Sequence, residues 1–547
     1  MLPHHARHVT HIPLAVHRPL IPSLLHSSSG ASHKFLGVRF DRKMTGREHL
    51  KDLITKSRKI VNIISALTGV WWGSHPQSLL SIYRAVLRGS IEYGCQIFQY
   101  RKNKTIFKCL ERSQWKAIRL SMGYRISTPI NVMLAEACEL PLRIRFSYLS
   151  SRYLIKNFSR HGSLSINNLE HLEEISCRPR IRLSICQKVP IFKRYIMIKH
   201  YKSYIKRSRF LPAFLYPFFT NILTLSYSCA YTGTKDDTPN ELIIRQFQEF
   251  LYPLDQDDYV SFYTDGSRFD SEDYTGSGTY APALNLEIAH RLSGTSVFTA
   301  EAWVLLVTIK IICDRDIAKA VVFSDSRSVL DSLASTRSDL SNYLIYAIKH
   351  QFFQATSKNL NIKLVWIPPS HKGISGNERA DELAKLGATR GDRVDLDIPF
   401  PDYLSEARST AITQFKSHLD EEFRIKGLHY EQYFRSQSLK PWFNKLSLNR
   451  EEIVLINRIR SNHYNLNYSL YRKDIVSSKA YPCGDPHQDI NHIIFYCPLT
   501  APKSGKLISY IHNFPDTQKN IFPLFKNPNP KLVRLLLAFL KSNNLSI

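Results

Sequence analysis

Four carboxylates, Asp265, Glu301, Asp325 and Asp381, stand within residues 265–381, each close to where the local pattern begins or ends a secondary-structure element. Carboxylates brought within a few Å raise one another's pKa, so a cation is needed to hold all of them ionised. Hard oxygen donors of this kind suit Mg2+ or Mn2+. Two such ions, roughly 3.5–4 Å apart, activate a water and stabilise a leaving 3′ oxygen, so the chemistry in view is phosphodiester hydrolysis.

The elements that must carry these acids are legible nearby. Residues 259–264 form a β-rich run that stops at Asp265-Gly266-Ser267, which predicts Asp265 at a strand end running into a turn. Thr299 is the expected N-cap of a helix with Glu301 in its first turn. The apolar run Ala320-Val321-Val322-Phe323-Ser324 predicts a strand, followed by Asp325 and a short helix from Ser326. Asp381 falls near the start of a further helix that Asn377 would cap. Singly, each has a bland reading: a turn, a cap, a solvated first-turn acid held by the helix dipole. Together, at strand ends and first helical turns, they can gather at one edge of a sheet.

These residues resemble the type I ribonuclease H domain of non-LTR, jockey-like retrotransposons. The matching strings are Tyr263-Thr264-Asp265-Gly266-Ser267, Ala300-Glu301-Ala302, Phe323-Ser324-Asp325-Ser326 and the run from Trp366 to Asp381, collinear with that family over roughly residues 255–395. The resemblance implies an α/β ribonuclease H fold, a mixed five-stranded sheet flanked by helices. It also implies endonucleolytic hydrolysis of the RNA strand of RNA/DNA hybrids, leaving 5′-phosphate and 3′-hydroxyl ends. Asp265 would bridge two Mg2+ (or Mn2+) ions, Glu301 and Asp325 would complete the ligand set, and Asp381 would hold the second ion. His371, in the loop Pro369-Ser370-His371-Lys372-Gly373, looks like a mobile proton-shuttling histidine, and Gly266, Ser267 and Asn377 are the implied substrate contacts.

The chain of 547 residues has room for three domains, and 43% hydrophobic residues can supply cores. Its net charge of +28 points to a polyanionic partner. The charge is uneven: residues 1–254 carry 39 Lys and Arg against 14 Asp and Glu, residues 255–395 carry 15 against 19, and the remainder 20 against 13. Phosphate affinity is therefore expected from the basic N-terminal half, which would bind nucleic acid in a salt-sensitive way. The segment 191–210 interleaves aromatics with cations. Two readings stand open for it: stacking on bases beside neutralised phosphates, or a solvated basic face over an aromatic core.

Residues 33–160 show helical spacing, notably at 77–88 and 110–120. The strings Phe35-Leu36-Gly37-Val38-Arg39-Phe40-Asp41, Trp71-Trp72-Gly73, the run Tyr83–Gly94 and Glu136-Ala137-Cys138-Glu139-Leu140-Pro141 resemble the thumb-like region after the palm of non-LTR reverse transcriptases. A palm needs an aromatic-x-Asp-Asp turn, and the pairs Asp236-Asp237 and Asp257-Asp258 lack that aromatic, so the chain reads as truncated upstream and no polymerase activity is expected. The expected organisation is a disordered leader (1–32), a basic and mainly helical thumb-like region with linker (33–250), the ribonuclease H domain (255–395) and a small α-rich C-terminal region (396–547).

Nine scattered cysteines without a secretory signal predict reduced thiols in an intracellular, soluble protein, and no run of about 20 apolar residues offers a membrane span. Cys483, His492 and Cys497 have metal-like spacing and resemble the zinc knuckle that follows ribonuclease H in these elements. The expected first Cys is missing, with Ala480 or Tyr481 in its place, so a four-ligand Zn2+ site would need Asp485 or His487 as substitute. The rival to the enzyme is a catalytically silent, nucleic-acid-binding remnant.

Overall fold

The computed structural model describes residues 32–42, 45–69, 72–98, 104–177, 189–206, 224–226, 239–268, 274–335, 342–368, 373–480, 482–514, 519–545 and 547. The leader expected over 1–32 lies, except for Ser32, outside the described residues, as does His371. The chain divides into two compact units: Met1–Phe146, Lys188–Ile191 and Gln414–Ile547 in one, Ser147–Gln187 and Phe192–Thr413 in the other. Among the described residues no helix is long and apolar enough to cross a membrane.

The first unit is mainly helical. A short antiparallel hairpin, β1 (Ser32–Phe35) and β2 (Val38–Asp41), precedes helices Arg47–Ala66, Pro76–Ile82, Lys104–Met122 and Ile130–Ala137. C-terminal residues pack among them through Arg450, Arg458 and Arg460 of the helix Arg450–Arg460, with Arg458 donating to the Gly123 carbonyl at 3.0 Å. The Arg450 guanidinium donates to the carbonyls of Thr68, Gly69, Ser74, Leu120 and Ser121. Carbonyls left over at a helix C-terminus favour a cation, and Leu120 and Ser121 end the helix Lys104–Met122. Arg460, fully buried, pairs with Glu136 at 2.7 Å and lies against the rings of Phe434 and Trp442. Removing either member of such a pair leaves an uncompensated charge in the core, at a cost of roughly 3–5 kcal/mol.

The second unit holds a seven-stranded mixed sheet. Its strands are β3 (Thr224–Ser226), β4 (Val260–Arg268), β5 (Tyr274–Ala281), β6 (Leu286–Ser293), β7 (Lys319–Ser324), β8 (Asn361–Trp366) and β9 (Asp392–Val394), in the order β3-β8-β7-β4-β5-β6-β9. The sheet has seven strands where five were expected: five are six to nine residues long, and a three-residue strand lies at each edge. Strands β4, β5 and β6 form an antiparallel meander, while β7 and β8 run parallel to β4.

Side-chain alternation along the central strands assigns the two faces. Phe262, Ala320, Val322, Ile362 and Leu364 face a core built with helices α2 (Val297–Asp314), α3 (Arg327–Ala334) and α4 (Tyr343–Ser357). Tyr263, Val321, Phe323 and Val365 face the other side, against α1 (Asn240–Gln256) and α5 (Ser375–Arg390). Each fully buried side chain of this kind contributes about 1.5–3 kcal/mol. Helix α5 sits very close to the sheet because β5 presents glycines to it. A Cβ on Gly276 would stand 1.9 Å from the Ala384 carbonyl oxygen, and one on Gly278 would stand 2.4 Å from that of Ala380.

The aromatic and basic segment is described as far as residue 206, and in that part it packs an apolar face into the core. Phe192, Tyr195 and Ile198 are buried, with Tyr195 against Phe158. Several of its cations are engaged: Arg194 with Ser151, Lys199 with Glu173, Lys202 with Glu170 and Lys206 with Asp397.

Candidate metal centre

Asp265 does not end its strand, because β4 continues to Arg268. What places it is register. Thr264 pairs with Ser324 across the parallel strands β4 and β7, so the next residue of each chain segment, Asp265 and Asp325, emerge side by side at the carboxyl edge. The Asp325 carbonyl accepts from the Trp366 indole at 3.1 Å and from the Arg327 amide at 2.9 Å, which anchors the turn into α3. On the antiparallel side Asp265 is paired with Gly278. That glycine is where the Ala380 carbonyl comes closest, so the residue after it, Asp381, is carried toward Asp265.

Helix α2 delivers Glu301 from the opposite face. Its N-cap is Ser296, whose hydroxyl accepts from the Thr299 amide at 3.2 Å, and Thr299 lies within the first turn instead of capping it. Glu301 accordingly starts the second turn and is buried, not a solvated first-turn acid. Gly266 makes the approach possible, because a Cβ there would meet the Glu301 amide nitrogen at 2.9 Å and its Cγ at 3.0 Å.

One oxygen from each of Asp265, Glu301 and Asp325 falls within 4.8 Å of the others. Asp381 stands outside that group of three but is hydrogen-bonded to Asp265, and its Oδ2 pairs with Lys385 Nζ at 2.6 Å. Burial, followed by the charges of Asp325 and Asp381 and the hydrogen bond with Asp381, pushes Asp265 up to about 8. Burial, then Asp265 and Asp325, raises Glu301 well above the carboxylate range. Glu301 Oε2 is buried with no hydrogen-bond partner. An orphaned carboxylate oxygen facing two further acids is the donor chemistry that a hard cation satisfies, so these residues fit a divalent ion.

Of the implied substrate contacts, Gly266 is buried and donates its amide to Asp265 Oδ1 at 2.8 Å, while Ser267 is half-exposed. Asn377 does not cap α5, whose N-cap is Ile374; it lies inside the first turn, buried, with Oδ1 unpartnered. Sequence reasoning passed over Lys385 and Asp402. The signal for Lys385 was available, since it lies four residues beyond Asp381 on one helix.

A second group forms in the helical unit. Cys483 Sγ lies 3.3 Å from His492 Nε2, and these two with Cys497 offer ligand atoms within 4.8 Å of one another. Asp485 is directed to the other ring nitrogen, with Oδ2 3.1 Å from His492 Nδ1. His487 is turned away, its Nε2 3.2 Å from Lys479 Nζ and its ring edge-on to Tyr468. Neither candidate substitute supplies a fourth ligand in this arrangement. Thiolate and imidazole donors fit a softer ion such as Zn2+.

Residues 257–389 match the RNase H family model, a span that contains all four acids. No curated protein matches the chain.

Proposed function

We propose that the ribonuclease H domain at residues 257–389 hydrolyses the RNA strand of RNA/DNA hybrids, cutting internally and leaving 5′-phosphate and 3′-hydroxyl ends. The observation that carries this reading is the buried, unpartnered Glu301 Oε2 facing Asp265 and Asp325. Asp265, Glu301, Asp325 and Asp381 would hold two Mg2+ or Mn2+ ions, which when bound supply charge stabilisation for the phosphodiester and an acidified water.

The chain's own residues supply the rest. The apolar cores on both sheet faces fix the strand register, so the carboxylates converge without rearrangement. Burial of Asp265, Glu301 and Asp381 limits bulk water and strengthens the charge interactions made there. Lys385 balances the Asp381 charge from the rim. Gly266 and Ser267, beside Asp265, and Asn377, with its free Oδ1, are the proposed contacts to substrate. His371 keeps its proposed role in moving a proton near the product.

The retrotransposon descent of the domain, type I and jockey-like, rests on the strings from Tyr263 to Asp381 and on the collinear reverse-transcriptase-like strings in residues 33–160, which support reading that helical region as thumb-derived. Cys483, His492 and Cys497 would hold Zn2+, with Asp485 orienting the imidazole through Nδ1.

The test is cleavage of an end-labelled RNA/DNA hybrid in Mg2+, beside Asp265→Asn and a chelator control. Loss of the RNA strand alone, abolished in both controls, is expected. Salt-sensitive binding without cleavage would sink the enzyme reading in favour of a silent binding remnant.

A further inference from the structure

Helix Lys104–Met122 buries one face, with Phe107, Leu110, Ala117 and Ile118 in the core of the helical unit. Its other face carries Lys104, Lys108, Arg112 and Lys116, all exposed, at successive four-residue steps. Residues so spaced are neighbours on one helix surface, and like charges there destabilise a helix by about 0.2–0.5 kcal/mol per pair. The one acid in the helix, Glu111, is taken by Arg143 at 3.2 Å. No ion pair among the described residues includes any of the four cations, although the neighbouring helix Arg47–Ala66 pairs Lys51 with Glu48. Soluble surfaces normally intersperse the two signs of charge. An unrelieved row of like charge has a different logic, that of a track for a polyanion.

The cation-rich segment that stands out in the sequence behaves oppositely, since Lys199 and Lys202 are neutralised by Glu173 and Glu170. Among the described residues, four successive unpaired cations on one helix face are thus found on the helix Lys104–Met122 and not in that segment.

We propose that Lys104, Lys108, Arg112 and Lys116 form a track for the sugar-phosphate backbone of an RNA/DNA hybrid. The steps rise about 6 Å each along the helix, roughly 18 Å in all, so each cation can meet a phosphate of its own instead of sharing one. The choice of a hybrid, in place of another polyanion, rests on the ribonuclease H reading; the charge argument does not.

The experiment is hybrid binding by fluorescence anisotropy on the full chain in chelator, across a salt series, so no cleavage is needed. The variant carries Lys104→Gln, Lys108→Gln, Arg112→Gln and Lys116→Gln. A second variant carries Lys56→Gln, Lys310→Gln, Lys416→Gln and Lys506→Gln, scattered exposed cations that remove the same charge. Each phosphate contact contributes about 0.7–0.9 to the slope of log K against log salt. The first variant is expected to lose roughly three units of slope and on the order of tenfold or more in affinity near 0.15 M salt, and the second less than one unit. Lys104→Arg, Lys108→Arg and Lys116→Arg together should retain the wild-type slope, which separates lost charge from a damaged helix. An unchanged slope in the first variant, an equal loss in the second, or loss of binding to phosphatidylserine vesicles with hybrid binding retained would overturn the proposal. A wild-type chain that binds but does not cleave in Mg2+ would refute the nuclease reading and leave this measurement intact.

Discussion

The Asp402 carboxylate holds Ser296 with both oxygens: Oδ2 accepts from the Ser296 amide at 2.9 Å and Oδ1 from its hydroxyl at 2.8 Å. Oδ1 also accepts from the Thr299 hydroxyl at 3.1 Å. Ser296 caps α2, and Glu301 lies in that helix's second turn. Asp402 comes from helix α6 (Phe400–Phe423), beyond the span matched by the family model, so a residue outside the domain's signature fixes the helix that carries one of its acids. Replacing Asp402 with Ala should lower stability by roughly 1–3 kcal/mol, since two hydroxyls and an amide lose a buried partner. It should also weaken Mg2+ binding at the acid cluster. Asn, which keeps one acceptor oxygen, should recover part of both. Thermal melts with and without Mg2+ check this, and a metal-dependent shift unaltered by Asp402→Ala would refute the positioning role.

A pH prediction follows from Asp265. Its pKa rises on folding from 3.8 to about 8, so the folded metal-free chain binds a proton that the unfolded chain has released. That contribution to stability is complete below about pH 4 and is lost as pH rises toward 8. Asp265→Asn, which never ionises, should therefore melt close to wild type near pH 4 and above it at pH 8, both in chelator. Added Mg2+ should reverse the order at pH 8 by stabilising only the wild type. Parallel melting curves for the two proteins across pH would contradict the buried-acid account.

Packing makes Gly278 the sharpest single test of how Asp381 reaches Asp265. A Cβ there would lie 2.4 Å from a backbone oxygen, which no rotamer change can relieve. Gly278→Ala should destabilise the domain by about 1–3 kcal/mol and reduce hybrid cleavage more than binding. Gly505→Ala, in a helix where a Cβ meets nothing within 4 Å, should be neutral or stabilising by up to about 1 kcal/mol. Equal melting temperatures for the two variants would show that α5 does not depend on the close approach.

The sulfur-containing group predicts a thermal shift specific to Zn2+. Wild type should gain stability on adding Zn2+, and Cys497→Ser should lose that gain. Asp485→Asn should need roughly 10–100-fold more Zn2+ for the same shift, because Asp485 orients His492 without ligating. Equal Zn2+ demand in wild type and Asp485→Asn would remove Asp485 from the site.

Local pattern was enough to single out the four acids, the strands at Asp265 and before Asp325, and the helices that carry Glu301 and Asp381, because turn residues, apolar runs and helical spacing act within a few residues. The same rules misplaced caps by three residues: Thr299 was expected for Ser296, since several short polar residues satisfy the same local signal, and Asn377 for Ile374, which makes no side-chain cap bond and so carries no local signal. They also left the segment at 191–210 open between two readings, and burial of Phe192 and Tyr195 is a feature they could not supply.

Long-range packing settled the rest. Register between β4 and β7 sets Asp265 beside Asp325, the glycines of β5 admit α5 and bring Asp381, and burial turns Glu301 from an expected surface acid into one with an orphaned oxygen. Asp402 reaches Ser296 across 106 positions and Arg450 reaches Gly69 across 381. Residue types and short-range spacing are written in the chain and could be read there. Which carboxylates converge depends on strand register and interhelical approach, and those are fixed only when distant side chains compete for the same buried volume.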